Sequence, residues 1–290
     1  MKGEAAFVAA LRHLVYDPAA RGLADDCAVI ELGNEALVLT HDMLVEGVHV
    51  FDGADPADIA WKLVAVNLSD LAAKGARPLG VLLGHMLGDR DDRFLAGLHD
   101  VLNHYGVPLL GGDTVAGEGR RAWGLTAVGR ATHRPVPSRS GARAGDAIWV
   151  TGEIGAAMLG FEALRDKTGA DSTAYRRPMA RLAEGEALAP LVTAMMDVSD
   201  GLLLDSSRIA EASGVTLSLD SKAIPLATHI GRLHYALRWG DDYELLFTLP
   251  EGVKPPVKAT RIGKVLEAGS TGLLLDGNEP EGELGWMHGT

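Results

Sequence analysis

WKLVAVNLSDLAAKGARP, residues 61–78, is the stretch from which the fold is read. Upstream, Asp55-Pro56 offers a helix N-cap followed by proline at the first helical position, where its missing N–H costs nothing. Gly75, with Pro78 beyond it, marks the exit. Between them Ile59, Leu63 and Val66 form one apolar stripe at helical spacing; Val64, Leu68 and Leu71 form a second, roughly opposite. A helix apolar on two sides is covered on two sides. Asp70 falls on the first stripe. A carboxylate on a buried face caps a neighbouring loop, pairs with an arginine or binds a metal ion.

Working outward, residues 4–17 read as a short amphipathic helix, with strands at 28–32 and 36–40 forming a hairpin. A strand at 79–85 follows the helix, then a helix near 90–105. Next come a short strand, 107–110, stopped by Gly111-Gly112-Asp113, and another at 122–131. Residues 132–147, rich in Pro, Arg, Ser and Gly, mark a domain boundary, dividing the chain into 1–137 and 138–290. Beyond it, a strand at 148–150 breaks into TGEIG, which is either a tight strand–helix connection or a phosphate-binding turn. Helices at 180–189 and 202–213 alternate with strands at 194–198, 215–220 and 243–249; residues 250–290 look less regular. Alternating strands and helices in both halves give an α/β class with α+β character.

Composition narrows the partners. The net charge of −12, with no local run of basic residues, argues against nucleic acid and against an anionic membrane surface. Cys27 is the only cysteine, which excludes an internal disulfide and a cysteine metal site and suits a reducing cytoplasm. Neither a signal peptide nor an apolar run of membrane-spanning length is expected.

Carboxylates recur in one setting. Asp25 and Asp26 precede a strand, Asp42 and Asp113 end strands, Asp197 and Asp200 end a third, and Asp70 projects from the helix. Any one of them reads as a turn or cap residue. As a set, at the strand ends where α/β proteins place ligands, they read as hard oxygen donors for Mg²⁺ or Mn²⁺. Gly111 and Gly112 would let backbone N–H groups approach an oxyanion. Acidic ligands, divalent metal and phosphate-friendly loops point to phosphoryl transfer, and with no Walker or kinase-type glycine loop present, ATP would bind through metals and aspartates.

The segments DDCAVI, THDMLVEGVH, WKLVAVNLSDLAAKGARP, LLGGDT, SRSGARAGD, VTG, MDVSDGLLLD and GDDYELLF follow one another between residues 25 and 247. In this order they resemble the thiamine-monophosphate kinase family, of the superfamily that includes aminoimidazole ribonucleotide synthetase and selenophosphate synthetase. The resemblance implies two α/β domains, with N-terminal sheets pairing into a barrel in a homodimer. It implies direct transfer of the ATP γ-phosphoryl group to thiamine monophosphate with several Mg²⁺ ions. By motif, it implies metal ligation by Asp26, Thr40, His41, Asp42, Asp70, Asp113, Asp197 and Asp200, with Asp42, Asp70 and Asp113 central to catalysis. It also implies nucleotide contacts from Gly112, Asp113, Arg139 and Ser199, and acceptor contacts from His49, Asp241 and Trp286. His41 stands where the family has Thr or Ser, and Asp241 where it has Glu. The read alternatives are another ATP-dependent synthetase of the superfamily, or a non-catalytic nucleotide- or metal-binding protein on the same fold. Trp61, Trp123 and Tyr105 read as core or interface residues.

Overall fold

The computed structural model describes residues 3–287 and builds two sheets around one shared helix. Helix α1 (Glu4–Arg12) and a 3₁₀ segment (Pro18–Leu23) lead into β1 (Ala28–Leu32) and β2 (Glu35–Val45), an antiparallel hairpin. The second strand extends beyond the expected 36–40, because residues 41–45 go on pairing with a later strand. Helix α2 (Pro56–Ala73) begins as expected: the Asp55 carboxylate accepts from the Ala57 N–H at 3.1 Å, with Pro56 in the first turn. Both of its stripes are buried. Ile59 and Leu63 of the first and Val64, Leu68 and Leu71 of the second pack with Val38, Val81 and Leu125 in the first core, while Ala72 and Ala73 beside them pack with Leu188, Met195 and Phe247 in another. Each fully buried leucine here contributes roughly 2 kcal/mol over an exposed one. Gly75, at φ 56°, reverses the chain out of the helix. A Cβ there would stand 2.3 Å from that of Ala189, so the turn also lets the two halves approach.

Strand β3 (Ala76–Met86), helix α3 (Asp91–Tyr105), and strands β4 (Leu109–Val115) and β5 (Ala122–Ala131) complete a sheet of order β1-β2-β5-β3-β4. Only the β3–β4 pair is parallel, joined through α3. The strand expected to stop at residue 110 instead runs through Gly111, Gly112 and Asp113. These residues pair with Leu82, Leu83 and Gly84. A Cβ on Gly112 would lie 1.9 Å from the Leu83 carbonyl oxygen, so only glycine fits where β4 packs on β3.

Past an irregular linker, the second half comprises β6 (Ala147–Thr151), α4 (Ala156–Arg165), α5 (Thr173–Arg176), α6 (Leu182–Leu188), β7 (Ala194–Asp197) and α7 (Leu202–Ser213). It continues with β8 (Thr216–Leu219), α8 (Leu233–Trp239), β9 (Leu245–Leu249), β10 (Ala259–Leu266) and β11 (Leu273–Leu275). The sheet order is β11-β8-β10-β6-β9-β7. Of the stretch 250–290, the described residues 250–287 are therefore more regular than their composition indicated: β10 lies centrally between β6 and β8. Its alternation is broken by a bulge at Arg261–Gly263. The TGEIG turn is a tight connection. The Asp242 carboxylate accepts from the N–H groups of Gly155 and Ala157, occupying the start of α4 from within the chain.

Trp123 is buried in the first core. Trp61 donates its indole N–H to the Pro178 carbonyl, and the Tyr105 hydroxyl accepts from the Ala180 N–H, so both rings join the halves. Asp58, in the first turn of α2, is clamped by Arg176 and Arg177 at 2.6 and 2.5 Å. No described helix is long and apolar enough to cross a membrane.

Candidate active site

A cleft of about 1420 Å³ opens where α2 passes between the sheets. Asp26 precedes β1, Asp42 lies on β2, Asp70 in the last turn of α2, and Asp197 at the end of β7. All four line this cleft, with Asp200, Ser199 and Arg139 beside them. Carboxylate oxygens of Asp26, Asp70 and Asp197 lie within 4.8 Å of one another. Asp70 neither caps a loop nor meets an arginine. It accepts a short hydrogen bond from Thr40 Oγ1 and otherwise faces carboxylates.

The crowding has an electrostatic signature. Burial, then the charges of Asp200 and Asp26, push the Asp42 carboxyl up to about 6. Burial and Asp26 push Asp197 up to about 8, against a hydrogen bond donated by Ser69. Asp70 is raised well above the usual range by burial, with Asp42 and Asp197 adding to it. Compensating cations sit to one side. Lys74, fully buried, lies 2.5 Å from both Asp25 and Asp26, and Arg139 donates Nε to Asp26 at 2.8 Å. Burial alone would raise Asp25, but Lys74 and Arg21 hold its carboxyl below the usual range; it is a structural ion-pair member. Asp26 Oδ2 is the buried oxygen that meets Lys74 Nζ. An all-oxygen donor set with surplus negative charge, as Asp42, Asp70 and Asp197 present, fits Mg²⁺ or Mn²⁺.

Beyond Asp197, the chain turns through Ser199 and Asp200 into α7. Their N–H groups donate to Asp205 Oδ2 at 3.1 and 3.0 Å, and Arg208 bridges Asp200 and Asp205 at 2.6 and 2.7 Å. His49, Asp241 and Trp286 also line the cleft. The Val45 N–H donates to His49 Nδ1 at 3.0 Å, and the Trp286 N–H to the Asp200 carbonyl at 2.9 Å. Here Phe51, Phe161, Tyr175 and Trp239 form a ring cluster, with Phe51 and Phe161 stacked at 4.8 Å. Residues 288–290, just beyond Trp286 and Met287, lie outside the described residues.

Three expected site residues are not brought to this cluster within the chain. Gly112 and Asp113 lie on β4, the exposed sheet edge, separated from β2 by β5 and β3. His41 alternates with Thr40 and Asp42, so its ring turns to the opposite face, where Nδ1 meets Thr126 Oγ1 at 2.9 Å. Lys62, Lys74 and Asp205 were missed. The first two carried a signal: each is a lysine in or just after a two-sided apolar helix, where a cation needs a buried partner.

The chain matches the family models AIR synthase related protein, N-terminal domain, over residues 24–131, and C-terminal domain, over residues 143–276. Thiamine-monophosphate kinase of Escherichia coli (strain K12) is 38% identical over 253 residues, covering 79% of this chain and 76% of that protein. The chain belongs to the thiamine-monophosphate kinase family. The family member of Aquifex aeolicus (strain VF5) is 33% identical over 288 residues, 92% of each chain. The solved structure of AaThiL complexed with AMPPCP and TMP superposes with a TM-score of 0.89 at 29% identity, covering 99% of this chain and 97% of that one. As in any thiamine-monophosphate kinase, the protein is read as a phosphotransferase, and the two-domain AIR synthase related fold follows from both family matches.

Proposed function

We propose that this protein transfers the γ-phosphoryl group of ATP directly to thiamine monophosphate, giving thiamine diphosphate, in the cytoplasm. The observation that carries the reading is the meeting of Asp26, Asp70 and Asp197 within 4.8 Å at one wall of a cleft. The same cleft is also lined by aromatic rings and Asp241. Asp26, Thr40, Asp42, Asp70, Asp197 and Asp200 would hold several Mg²⁺ ions, His41 adding only its backbone carbonyl. Bound Mg²⁺ supplies charge neutralisation between the two phosphorylated substrates. The remaining work is positioning. Arg139 and Ser199 orient nucleotide phosphates; His49, Asp241 and Trp286 orient the acceptor. The Trp286 face suits a cationic thiazolium. The acceptor phosphate is already ionised, so no side chain need act as a strong general base.

We assign residues 1–137 to a metal-binding and dimerisation domain and 138–290 to the C-terminal domain. The face of the first sheet away from α2 and α3 carries Met43 and Leu82, 52% and 40% exposed. The edge strand β4 is exposed throughout. An uncovered apolar face and an open edge both favour a second copy. Three strand spacings, roughly 14 Å, separate β4 from β2, so Gly112 and Asp113 would join the carboxylates of another protomer. Incubation with ATP, Mg²⁺ and thiamine monophosphate, followed by chromatography, is expected to yield thiamine diphosphate; none above background overturns the reading.

A further inference from the structure

Lys62 lies in the middle of α2 and is 1% exposed. An ammonium group stripped of water persists only where protein groups replace that water. Here Nζ donates to Asp241 Oδ2 at 2.8 Å and to the His49 carbonyl at 3.2 Å, and sits 4.1 Å from the centre of the Tyr175 ring. The Tyr175 hydroxyl donates to the same carbonyl at 3.1 Å, and the Tyr243 hydroxyl donates to Asp241 Oδ1 at 2.9 Å. One cation therefore ties together the two segments, 45–49 and 240–244, that bring His49 and Asp241 to the cleft.

The backbone of the second segment needs such a tie. Asp241 and Tyr243 both adopt left-handed conformations, φ 59° and 50°, which non-glycine residues hold only when their surroundings over-determine them. Backbone bonds fix part of it: the Asp241 N–H donates to the Ser199 carbonyl at 2.8 Å and the Tyr243 N–H to that of Val198 at 2.9 Å. The Asp241 side chain depends on Lys62 and Tyr243. Among the described residues no hydrogen bond joins Lys62 itself to Asp26, Asp70 or Asp197; both of its own hydrogen bonds go to the acceptor-side residues His49 and Asp241.

We propose that Lys62 is a positioning residue for the acceptor, fixing Asp241 against His49 so that thiamine monophosphate, and not ATP, depends on it. The proposal rests on the kinase reading above. Lys62→Met is expected to raise the KM for thiamine monophosphate about tenfold or more, leaving the KM for ATP within about twofold and kcat largely intact. A merely structural ion pair would move both KM values together, or neither; either result overturns the proposal. Because Lys62→Met leaves Asp241 unpaired, Lys62→Met/Asp241→Asn, which carries no lone charge, is measured beside Asp241→Asn. Equal acceptor KM values in these two are expected, since Lys62 acts through Asp241; additive losses overturn the proposal. Wild-type protein that forms no thiamine diphosphate sinks the kinase reading as well, whereas wild-type turnover with unselective Lys62 variants sinks this inference alone.

Discussion

The Ser69 hydroxyl donates to Asp197 Oδ2 at 2.6 Å, joining the last turn of α2 to the end of β7. Both residues are buried. The helix that carries Asp70 into the cleft thus also holds a carboxylate from the other sheet, and one rigid element sets the spacing of the two acids. Ser69→Ala removes a donor to a buried acceptor at a cost of about 1–2 kcal/mol. The expected outcome is a lower urea midpoint and a higher Mg²⁺ requirement for turnover. A Mg²⁺ titration curve superimposable on wild type would show that Asp197 does not depend on this bond.

Removing charge from the cluster has the opposite effect on the metal-free fold. The Asp197 carboxyl stands at about 8 in the folded chain, against 3.8 as its ordinary value. The folded state therefore binds the proton more tightly, and the resulting stability is complete below pH 4 and lost as pH rises through about 8. Metal-free wild-type protein should melt at a lower temperature at pH 8 than at pH 6. Asp197→Asn should flatten that slope and raise the melting temperature at pH 8, while abolishing turnover. Mg²⁺ should stabilise the wild type more at pH 8 than at pH 6, because at the lower pH it must displace protons. A variant melting below wild type at pH 8 without metal would contradict the crowding argument.

The fold was legible wherever local chemistry and periodicity agreed. Asp55-Pro56, the paired apolar stripes and Gly75 mark α2 almost to the residue, and residues 122–131 form the strand expected of them. It was less legible where glycine has two meanings. Gly111 and Gly112 look like a strand stop, yet they continue β4 because a side chain on Gly112 would strike the Leu83 carbonyl. β10 was hidden by the bulge beside Gly263, which breaks the alternation that marks a strand. In the candidate site, single aspartates are ambiguous because turns favour them; Asp26, Asp42, Asp70, Asp113, Asp197 and Asp200 were picked out together, by their strand-end setting and by motif, and Asp113 lies apart from the rest within the chain. Lys62 and Lys74 were overlooked because apolar neighbours on α2 drew attention to packing, and their partners come from distant segments.

Lys74 offers a direct test of how the acidic wall is balanced. It is the buried counter-charge to Asp25 and Asp26, 2.5 Å from each. Lys74→Met would leave two buried carboxylates facing Asp70 with only Arg21 and Arg139 to offset them, at a cost of about 3–5 kcal/mol. The melting temperature should fall sharply, and saturating Mg²⁺ should restore more of it than in wild type. If Mg²⁺ restores no more than in wild type, the lost stability comes from packing and not from unbalanced charge.

Asp42 and Asp113 are on strands that one sheet keeps apart, and this separates two ways of building the site. Asp42→Asn and Asp113→Asn should each abolish turnover while leaving the melting curve cooperative. If Asp113 serves the cleft of a partner, the two inactive proteins complement each other. In a mixed dimer, the chain carrying Asp113→Asn keeps its own Asp42 and receives Asp113 from the other chain. Random exchange of equal amounts then restores about a quarter of wild-type turnover, since half the dimers are mixed and each has one intact site. Co-expression with two affinity tags allows the mixed dimer to be isolated and assayed. A mixed dimer as inactive as its parents, with wild-type dimers recovered at full activity by the same procedure, would place Asp113 outside the partner's cleft.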